Sequence, residues 1–278
     1  MMRKREDAML LEKYGELNQN SLADFHTHTT YCDGNNTPPE MLAAALKQGL
    51  QVYGFSGHGY TPYDESYCML LDDEAAYEQE VRKLAEDYAG EIKILCGVEQ
   101  DCLAGKPTRS WDYVIGSVHY IDCRKEGGGI EVIDESKETW LHIVDSCFGG
   151  DVYAMIERYF ETEACVAEAV GADVIGHLDL ITKYNTGGEG GRQGALFDEG
   201  HPRYVAAWQK AVDKLLPTGV PFEINTGGMS RKYRTDAYPA KPIRDYIAAH
   251  GGRFLLSSDS HSTETFCSRF TDYCHYMK

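Results

Sequence analysis

The chain has 278 residues, of which 42% are hydrophobic, and its formal net charge is −17 at pH 7. This length and composition suit an α/β protein with a substantial core and argue against a disordered chain. The acidic balance argues against a nucleic-acid partner, because phosphate backbones are bound through lysine and arginine. It leaves room for a small phosphorylated ligand, which needs only a local cluster of positive charge.

The opening segment MMRKREDAML lacks the apolar stretch of a signal peptide, and no apolar run approaches the length of a membrane span. We therefore expect a soluble, cytoplasmic protein without a membrane partner. The nine cysteines are scattered and form no C-x-x-C pair, so we expect reduced thiols rather than a disulfide framework. Nothing in the sequence predicts an oligomeric state.

Short apolar runs alternate with amphipathic ones along the chain. The runs predicted as strands are 22–28, 52–58, 92–99, 113–119, 172–177, 220–225 and 253–259. The segments predicted as helices are 37–49, 72–90, 204–216 and 241–252. This alternation indicates a parallel sheet, either an open doubly wound sheet or a barrel. No linker divides residues 1–278, so we expect a single domain in which the charged residues 1–20 are an N-terminal extension.

Ionisable residues occupy the last position of six predicted strands, or the position beside it. These residues are His28, His58, Glu99, His119, His177 and Asp259. The carboxyl ends of parallel strands converge on the face where ligands bind, in barrels and in open sheets alike. Six strands are therefore expected to bring metal-ligand side chains to one rim.

Two pairs of these side chains have the period of a strand. His26 and His28 are separated by one residue, as are Asp259 and His261, so each pair shares one face of an extended backbone. Imidazole and carboxylate ligands suit zinc, manganese or iron. With Glu99 and the other histidines there are more ligands than one ion can use. The sequence therefore predicts a multinuclear site with a bridging carboxylate.

Seven ordered motifs between about residue 22 and residue 265 resemble those of the polymerase-and-histidinol-phosphatase (PHP) family, and most of all its histidinol-phosphate phosphatase branch. The motifs are DFHTHTTYCDG, GFSGHG, GVEQD, GSVHY, DVIGHLDL, FEINTGG and SSDSH. The resemblance implies an α/β fold, a distorted (β/α)7 TIM-like barrel of the PHP type, with two or three divalent metal ions as cofactors.

Position by position, the resemblance implies nine ligands. The first ion would be held by His26, His28, Glu99 and Asp259. The second would be held by Glu99, His119 and His177. The third would be held by Asp33, His58 and His261.

The resemblance also implies an activity, a metal-dependent phosphomonoesterase acting on L-histidinol phosphate in histidine biosynthesis. Glu99, with His28 and Asp259, is expected to act at the reacting centre, where a hydroxide that bridges two ions would attack phosphorus. Two alternatives stay open. One is a PHP-family phosphoesterase for another small phosphorylated metabolite or nucleotide, and the other is a catalytically silent metal-binding barrel.

Four further residues are expected to bind the substrate. Arg158 and Tyr159 would form the Arg–Tyr pair that similar histidinol phosphatases use against phosphate. Arg192 lies in a glycine-rich loop, and such loops commonly close over a substrate. Asp101, two residues past Glu99, is expected to bind a cationic amine or imidazolium. Residues with weaker claims are Lys183, Arg231 and Arg234.

Overall fold

The computed structural model describes residues 10–185 and 195–277. Within these residues the strands are β1 (Ala23–Asp24), β2 (Val52–Phe55), β3 (Lys93–Cys96), β4 (Val98–Asp101), β5 (Val114–Ser117), β6 (Tyr120–Asp122), β7 (Ile130–Val132), β8 (Val174–Ile175), β9 (Phe222–Asn225) and β10 (Phe254–Ser257). Every predicted strand is found, and most are shorter than predicted at one end or both. The predicted strand 92–99 is divided between β3 and β4.

Parallel pairing joins the strands into two sheets, in the orders β1-β2-β3 and β10-β9-β8-β5-β4. Single bridges connect the sheets on both sides. Thr27 pairs with Ser260 beyond β1 and β10, and His58 pairs with Glu99 between β2 and β4. The two sheets therefore close into one barrel in which β3 and β4 share a strand position. This confirms the predicted distorted (β/α)7 fold.

The break between β3 and β4 falls at Gly97, beside a tyrosine that fills the barrel interior. Tyr113 is 1% exposed, and its hydroxyl lies 2.5 Å from the carbonyl oxygen of Phe25 and 3.0 Å from that of Phe55. A Cβ on Gly97 would overlap the Tyr113 ring, so this position requires glycine. The ring packs just below the strand ends that carry the predicted ligands.

The helices of the described residues are α1 (Leu10–Gln19), α2 (Pro38–Lys47), α3 (Leu71–Asp87), α4 (Lys137–Phe148), α5 (Val152–Glu163), α6 (Pro202–Leu215), α7 (Gly227–Ser230) and α8 (Lys241–Ala249). The predicted helices correspond to α2, α3, α6 and α8. Helix α2 begins at Pro38 after the N-cap Thr37, and the Glu40 carboxylate accepts the Thr37 amide at 2.8 Å. None of these helices is long and apolar enough to cross a membrane.

Helix α1 covers the amino-terminal end of the barrel. Leu10 packs with Ala23 and Phe25 in the interior cluster. Asn18 is fully buried, where its side-chain amide donates to the carbonyl oxygens of Ala23 and Leu256 and its side-chain oxygen accepts the Leu256 amide. Residues 10–19 of the predicted extension therefore form a helix that is packed against the barrel.

Strands β6 and β7 form an antiparallel hairpin directly after β5, and this hairpin was not predicted. Tyr120 pairs with Val132 across it. Each strand has only three residues, which is too short for alternation of polar and apolar residues to stand out from the sequence. The hairpin brings Tyr120 and Val132 to the carboxyl end of the barrel, where both line a cavity.

Candidate metal centre

The predicted ligands come together at the carboxyl end of the barrel. Those that are buried are His26, His28, His58, Glu99, His119, His177 and Asp259. Asp33 is exposed and His261 is half-buried, so these two lie at the rim. The convergence follows from the topology, because each buried ligand lies within a few residues of the carboxyl end of a parallel strand.

Glu99 lies at the centre of the cluster, with one carboxylate oxygen toward each side. Its Oε2 lies 3.1 Å from Nε2 of His26 and 3.1 Å from Nδ1 of His58. Its Oε1 lies 2.9 Å from Nε2 of His177 and 3.4 Å from Nε2 of His119. The two oxygens thus face different imidazoles, an arrangement that suits a carboxylate shared by two ions.

Ligand atoms at the rim form a further group. One ligand atom from each of His28, Asp33, His58 and His261 lies within 4.8 Å of the others. Asp33 Oδ2 lies 3.0 Å from Nε2 of His261, and Asp33 Oδ1 lies 3.4 Å from Nδ1 of His28. The turn after β1 therefore brings Asp33 to the place where a third ion is expected.

Asp259 reaches the cluster through an unusual backbone conformation. Its φ is 49°, in the left-handed region that residues other than glycine rarely adopt and that is often found at functional sites. Its Oδ1 lies 3.2 Å from Nε2 of His28 and 3.7 Å from Nε2 of His26. Gly227 makes room for it, since a Cβ there would come within 2.8 Å of the Asp259 Cβ.

Several buried atoms of the cluster lack a hydrogen-bond partner within residues 10–185 and 195–277. They include Nε2 of His26, Nε2 of His28 and Oε2 of Glu99. The two nitrogens approach this oxygen at 3.1 and 3.5 Å, but without the geometry of a hydrogen bond. Buried polar atoms left unpaired are costly. Imidazole and carboxylate atoms that converge in this way fit divalent cations.

The charges of the cluster act strongly on one another. Burial by itself would raise the pKa of Glu99, but the imidazoles of His26 and His58 hold that pKa well below its usual range. Burial lowers the pKa of His119, while the Glu99 carboxylate raises it, and the net result is a pKa of about 9. Burial lowers the pKa of His58 to about 3 despite Glu99 and Asp33. Glu99 is therefore ionised at neutral pH.

A cavity of about 270 Å³ opens above the cluster. Beyond the ligands, its wall contains two cations, two aromatic rings and three carboxylates, namely Lys183, Arg231, Tyr67, Tyr120, Asp64, Asp134 and Glu135. The volume and the mixture of groups suit a small, charged molecule.

The two cations hold different positions. Nη2 of Arg231 donates to Asp259 Oδ2 at 2.8 Å, and its Nη1 lies 2.9 Å from Nδ1 of His261. Nζ of Lys183 donates to the carbonyl oxygen of Asp134 at 2.7 Å and to its carboxylate at 3.1 Å. Sequence reasoning ranked both cations low. They lie beyond regular strands, where no periodicity fixes the direction of a side chain.

The predicted Arg–Tyr pair, Arg158 and Tyr159, is not among the described residues that line the cavity. Nη2 of Arg158 donates to Glu126 at 2.8 Å, and its Nη1 donates to the carbonyl oxygen of Asp122 at 2.9 Å. Tyr159 is fully buried, with its hydroxyl donating to Glu163 at 2.8 Å. Successive residues of α5 point about 100° apart, and the two side chains accordingly bind different partners.

Asp101, predicted to contact a substrate amine, holds His119 in place and is not among the described residues that line the cavity. Its Oδ2 accepts the backbone amide of His119 at 2.8 Å. Its Oδ1 accepts the Tyr63 hydroxyl at 2.6 Å and the Leu103 amide at 2.8 Å. The residue is 2% exposed. Arg192 lies outside the described residues.

Solved structures share this fold. A candidate histidinol phosphatase from Listeria monocytogenes matches with a TM-score of 0.74 and 19% identity, over 91% of this chain and 100% of that one. The histidinol phosphate phosphatase of Lactococcus lactis, in complex with zinc, L-histidinol and phosphate, matches with a TM-score of 0.60 and 17% identity, over 92% of this chain and 94% of that one.

Sequence comparisons find a relative with a similar name and a matching family model. A probable histidinol-phosphatase from Deinococcus radiodurans is 32% identical over 267 residues, which cover 90% of each chain. The family model described as the PHP domain matches residues 24–227. This range contains most of the ligand cluster and all strands from β2 to β9. The chain therefore belongs to the PHP domain family.

Proposed function

We propose that this protein is a metal-dependent phosphomonoesterase that hydrolyses L-histidinol phosphate to L-histidinol and phosphate. The observation that carries the proposal is the position of Glu99, whose two oxygens face separate groups of buried imidazoles. Phosphate monoesters react very slowly in water, so a catalyst must neutralise phosphoryl charge and provide an activated nucleophile. A cluster of this composition at the mouth of a barrel suits that task.

The residues present would hold two or three divalent ions, which we infer to be zinc, manganese or iron. We assign to them the three sets His26, His28, Glu99 and Asp259; Glu99, His119 and His177; and Asp33, His58 and His261. Bound there, the ions would supply Lewis acidity for a water nucleophile and for the phosphoryl oxygens.

Arg231 is the residue we assign to the phosphate. Its guanidinium already contacts Asp259 and lies beside His261, so a phosphate held at the cluster would come within its reach. Guanidinium groups bind phosphate through two parallel hydrogen bonds, which fixes orientation as well as charge. Lys183, on the same cavity wall, would add a second positive charge.

The remaining wall would receive the leaving group. The rings of Tyr67 and Tyr120 lie with centroids 5.9 Å apart, and the Tyr120 hydroxyl donates to Asp64 at 2.7 Å. Asp134 lines the same cavity. Aromatic faces beside carboxylates suit an alcohol that carries an aromatic ring and a positive charge, because the rings and the carboxylates both attract positive charge. L-histidinol, with an ammonium group and an imidazole ring, has this chemistry.

The relatives support the choice of substrate. The D. radiodurans protein, at 32% identity, is named a probable histidinol-phosphatase. The L. lactis structure holds zinc, L-histidinol and phosphate within the same fold. We therefore infer a role for this chain in histidine biosynthesis.

The test is phosphate release from a panel of phosphomonoesters that includes L-histidinol phosphate, a sugar phosphate and a nucleotide. The metal-reconstituted protein should give a kcat/KM for L-histidinol phosphate that is orders of magnitude above the others, and a chelator should abolish it. A flat profile would contradict the substrate and favour another phosphorylated metabolite. No release from any ester would contradict the activity and favour a silent metal-binding barrel.

A further inference from the structure

A buried carboxylate that none of the ligand sets includes lies directly behind the metal centre. Glu223, in β9, is 1% exposed, and its Oε1 lies 2.5 Å from Nδ1 of His26. The other ring nitrogen of His26, Nε2, lies 3.1 Å from Oε2 of Glu99. The His26 ring is thus held between a supporting carboxylate on one side and the ligand cluster on the other.

The same carboxylate also holds a second ligand. Its Oε2 accepts the backbone amide of His177 at 2.7 Å and the Asn225 side-chain amide at 3.0 Å. Its Oε1 also accepts the hydroxyl of Ser257, in β10. Glu223 therefore fixes groups that follow β1 and β8 and ties them to the strand between β8 and β10.

The contact at Nδ1 determines which ring nitrogen of His26 has a lone pair free to bind an ion. A neutral imidazole carries one N–H, and an anionic acceptor at Nδ1 keeps the proton on that nitrogen. The lone pair of Nε2 is then directed toward Glu99 and the centre. Carboxylates that accept from a ligand imidazole fix its ring and raise its basicity, and their loss typically weakens metal binding about 10–100-fold.

The other imidazoles around Glu99 are held differently. Among the described residues, Nδ1 of His177 has no hydrogen-bond partner. Nδ1 of His119 lies 3.6 Å from Asp101, which is beyond ordinary hydrogen-bond length. The close carboxylate contact at His26 Nδ1 therefore supports the ring of this ligand directly, whereas Glu223 holds only the backbone of His177 and the rings of His119 and His177 have no such contact within the described part of the chain.

We propose that Glu223 is a positioning residue that sets the tautomer and orientation of His26, and through them the affinity for the ion held by His26, Glu99 and Asp259. The proposal rests on the metal centre of the proposed function, but not on its substrate. It predicts that removal of the Glu223 charge weakens the binding of this one ion, while the ions held without His26 keep their affinity.

The experiment compares zinc binding by wild type, Glu223→Gln and Ser257→Ala, titrated against a chromophoric chelator. Ser257→Ala is the matched control, since it removes a hydrogen bond to the same carboxylate and leaves the His26 contact. We expect one zinc ion to bind about 10–100-fold more weakly in Glu223→Gln and all ions to bind Ser257→Ala as they bind wild type. A purely structural role would lower the melting temperature of both metal-free variants and leave their zinc affinities equal to wild type. That result would overturn the proposal.

A second measurement needs no variant. In zinc-loaded wild type containing ¹⁵N-labelled histidine, the NMR spectrum should place the His26 proton on Nδ1 and zinc on Nε2. The reverse assignment, or a wild type that binds no zinc, would overturn the proposal. Neither measurement uses hydrolysis, so a failure of the phosphatase assignment is recognised separately by the panel of phosphomonoesters.

Discussion

Oε2 of Glu99 lies 3.1 Å from Nε2 of His26, and neither atom has a hydrogen-bond partner among the residues that the structure describes. Oε1, in contrast, accepts the Ser117 hydroxyl at 2.6 Å and lies 2.9 Å from Nε2 of His177. One oxygen is thus anchored by the neighbouring strand β5, while the other faces imidazoles to which it is not hydrogen-bonded. Of the two Glu99 oxygens, Oε2 is therefore the one that a bound cation would stabilise more.

Arg231 and Arg158 provide a matched pair of variants. Arg231→Ala should raise KM for phosphorylated substrates about 10–100-fold, because a charge-assisted hydrogen bond contributes about 1.5–3 kcal/mol. Arg158→Ala should leave KM unchanged, since its guanidinium is paired with Glu126 outside the cavity. Steady-state kinetics and metal analysis of both variants provide the check. A higher KM in Arg158→Ala with a normal KM in Arg231→Ala would reverse the assignment.

Replacement of Asp134 should impair hydrolysis only of substrates whose leaving group carries a positive charge. In Asp134→Asn, kcat/KM for L-histidinol phosphate should fall about tenfold, because a hydrogen bond to a charged group is lost. The value for p-nitrophenyl phosphate, whose leaving group has no cation, should stay near wild type. Asp134 is paired with Lys183. An equal fall in kcat/KM for both substrates would therefore mean that Asp134 acts on the phosphate through Lys183.

Metal binding should release protons at neutral pH. Burial lowers the pKa of His119, but Glu99 raises it more, to about 9. Burial also lowers the pKa of His26, while Glu223 and Glu99 raise it well above its usual value. Both imidazoles therefore carry an extra proton in the metal-free protein at pH 7, and an ion must displace it.

The pH dependence of that release follows from the direction of the shifts. Release should be largest below about pH 9 and should decline above it, since His119 is then already neutral. Zinc titration in weakly buffered solutions containing a pH indicator measures the protons released per ion. Release that stays constant from pH 7 to about pH 10 would contradict the raised pKa values.

Asn18 tests whether α1 belongs to the barrel domain, as we propose. Asn18→Ala should lower the free energy of unfolding by about 1–3 kcal/mol, because it leaves buried backbone groups of Ala23 and Leu256 without partners. Asn20→Ala is the control, since Asn20 is exposed and its side chain bonds the Glu16 carbonyl oxygen of the same helix end. Urea unfolding of the metal-free proteins measures both. Equal stability of the two variants would show that α1 is not part of the cooperative unit.

Much of the candidate centre could be predicted because it depends on strand geometry. The i, i+2 spacing of His26 and His28 fixes a shared face, and parallel strands fix a shared end, so local pattern and topology together locate the cluster. Asp33 could be placed only through the family resemblance, because a turn residue has no periodicity that directs its side chain.

The rest depends on how irregular segments fold back over the barrel. Arg231 follows the four-residue helix α7, and Asp134 follows the short hairpin, so sequence spacing did not place either side chain. Arg158 lies away from the cavity because the direction of a helix face depends on the packing of α5. Glu223 was missed although a signal existed, since a lone carboxylate inside the apolar run VPFEIN must have buried partners.

We propose that Glu99 is a ligand of a metal centre that hydrolyses phosphomonoesters. The most direct test is phosphate release from L-histidinol phosphate by wild type and Glu99→Gln, both reconstituted with the same metal and both shown to be folded. We expect the wild type to release phosphate and Glu99→Gln to lose nearly all activity along with bound metal, because a neutral amide cannot replace an anionic ligand shared by two ions. Equal rates in the two proteins would contradict the account.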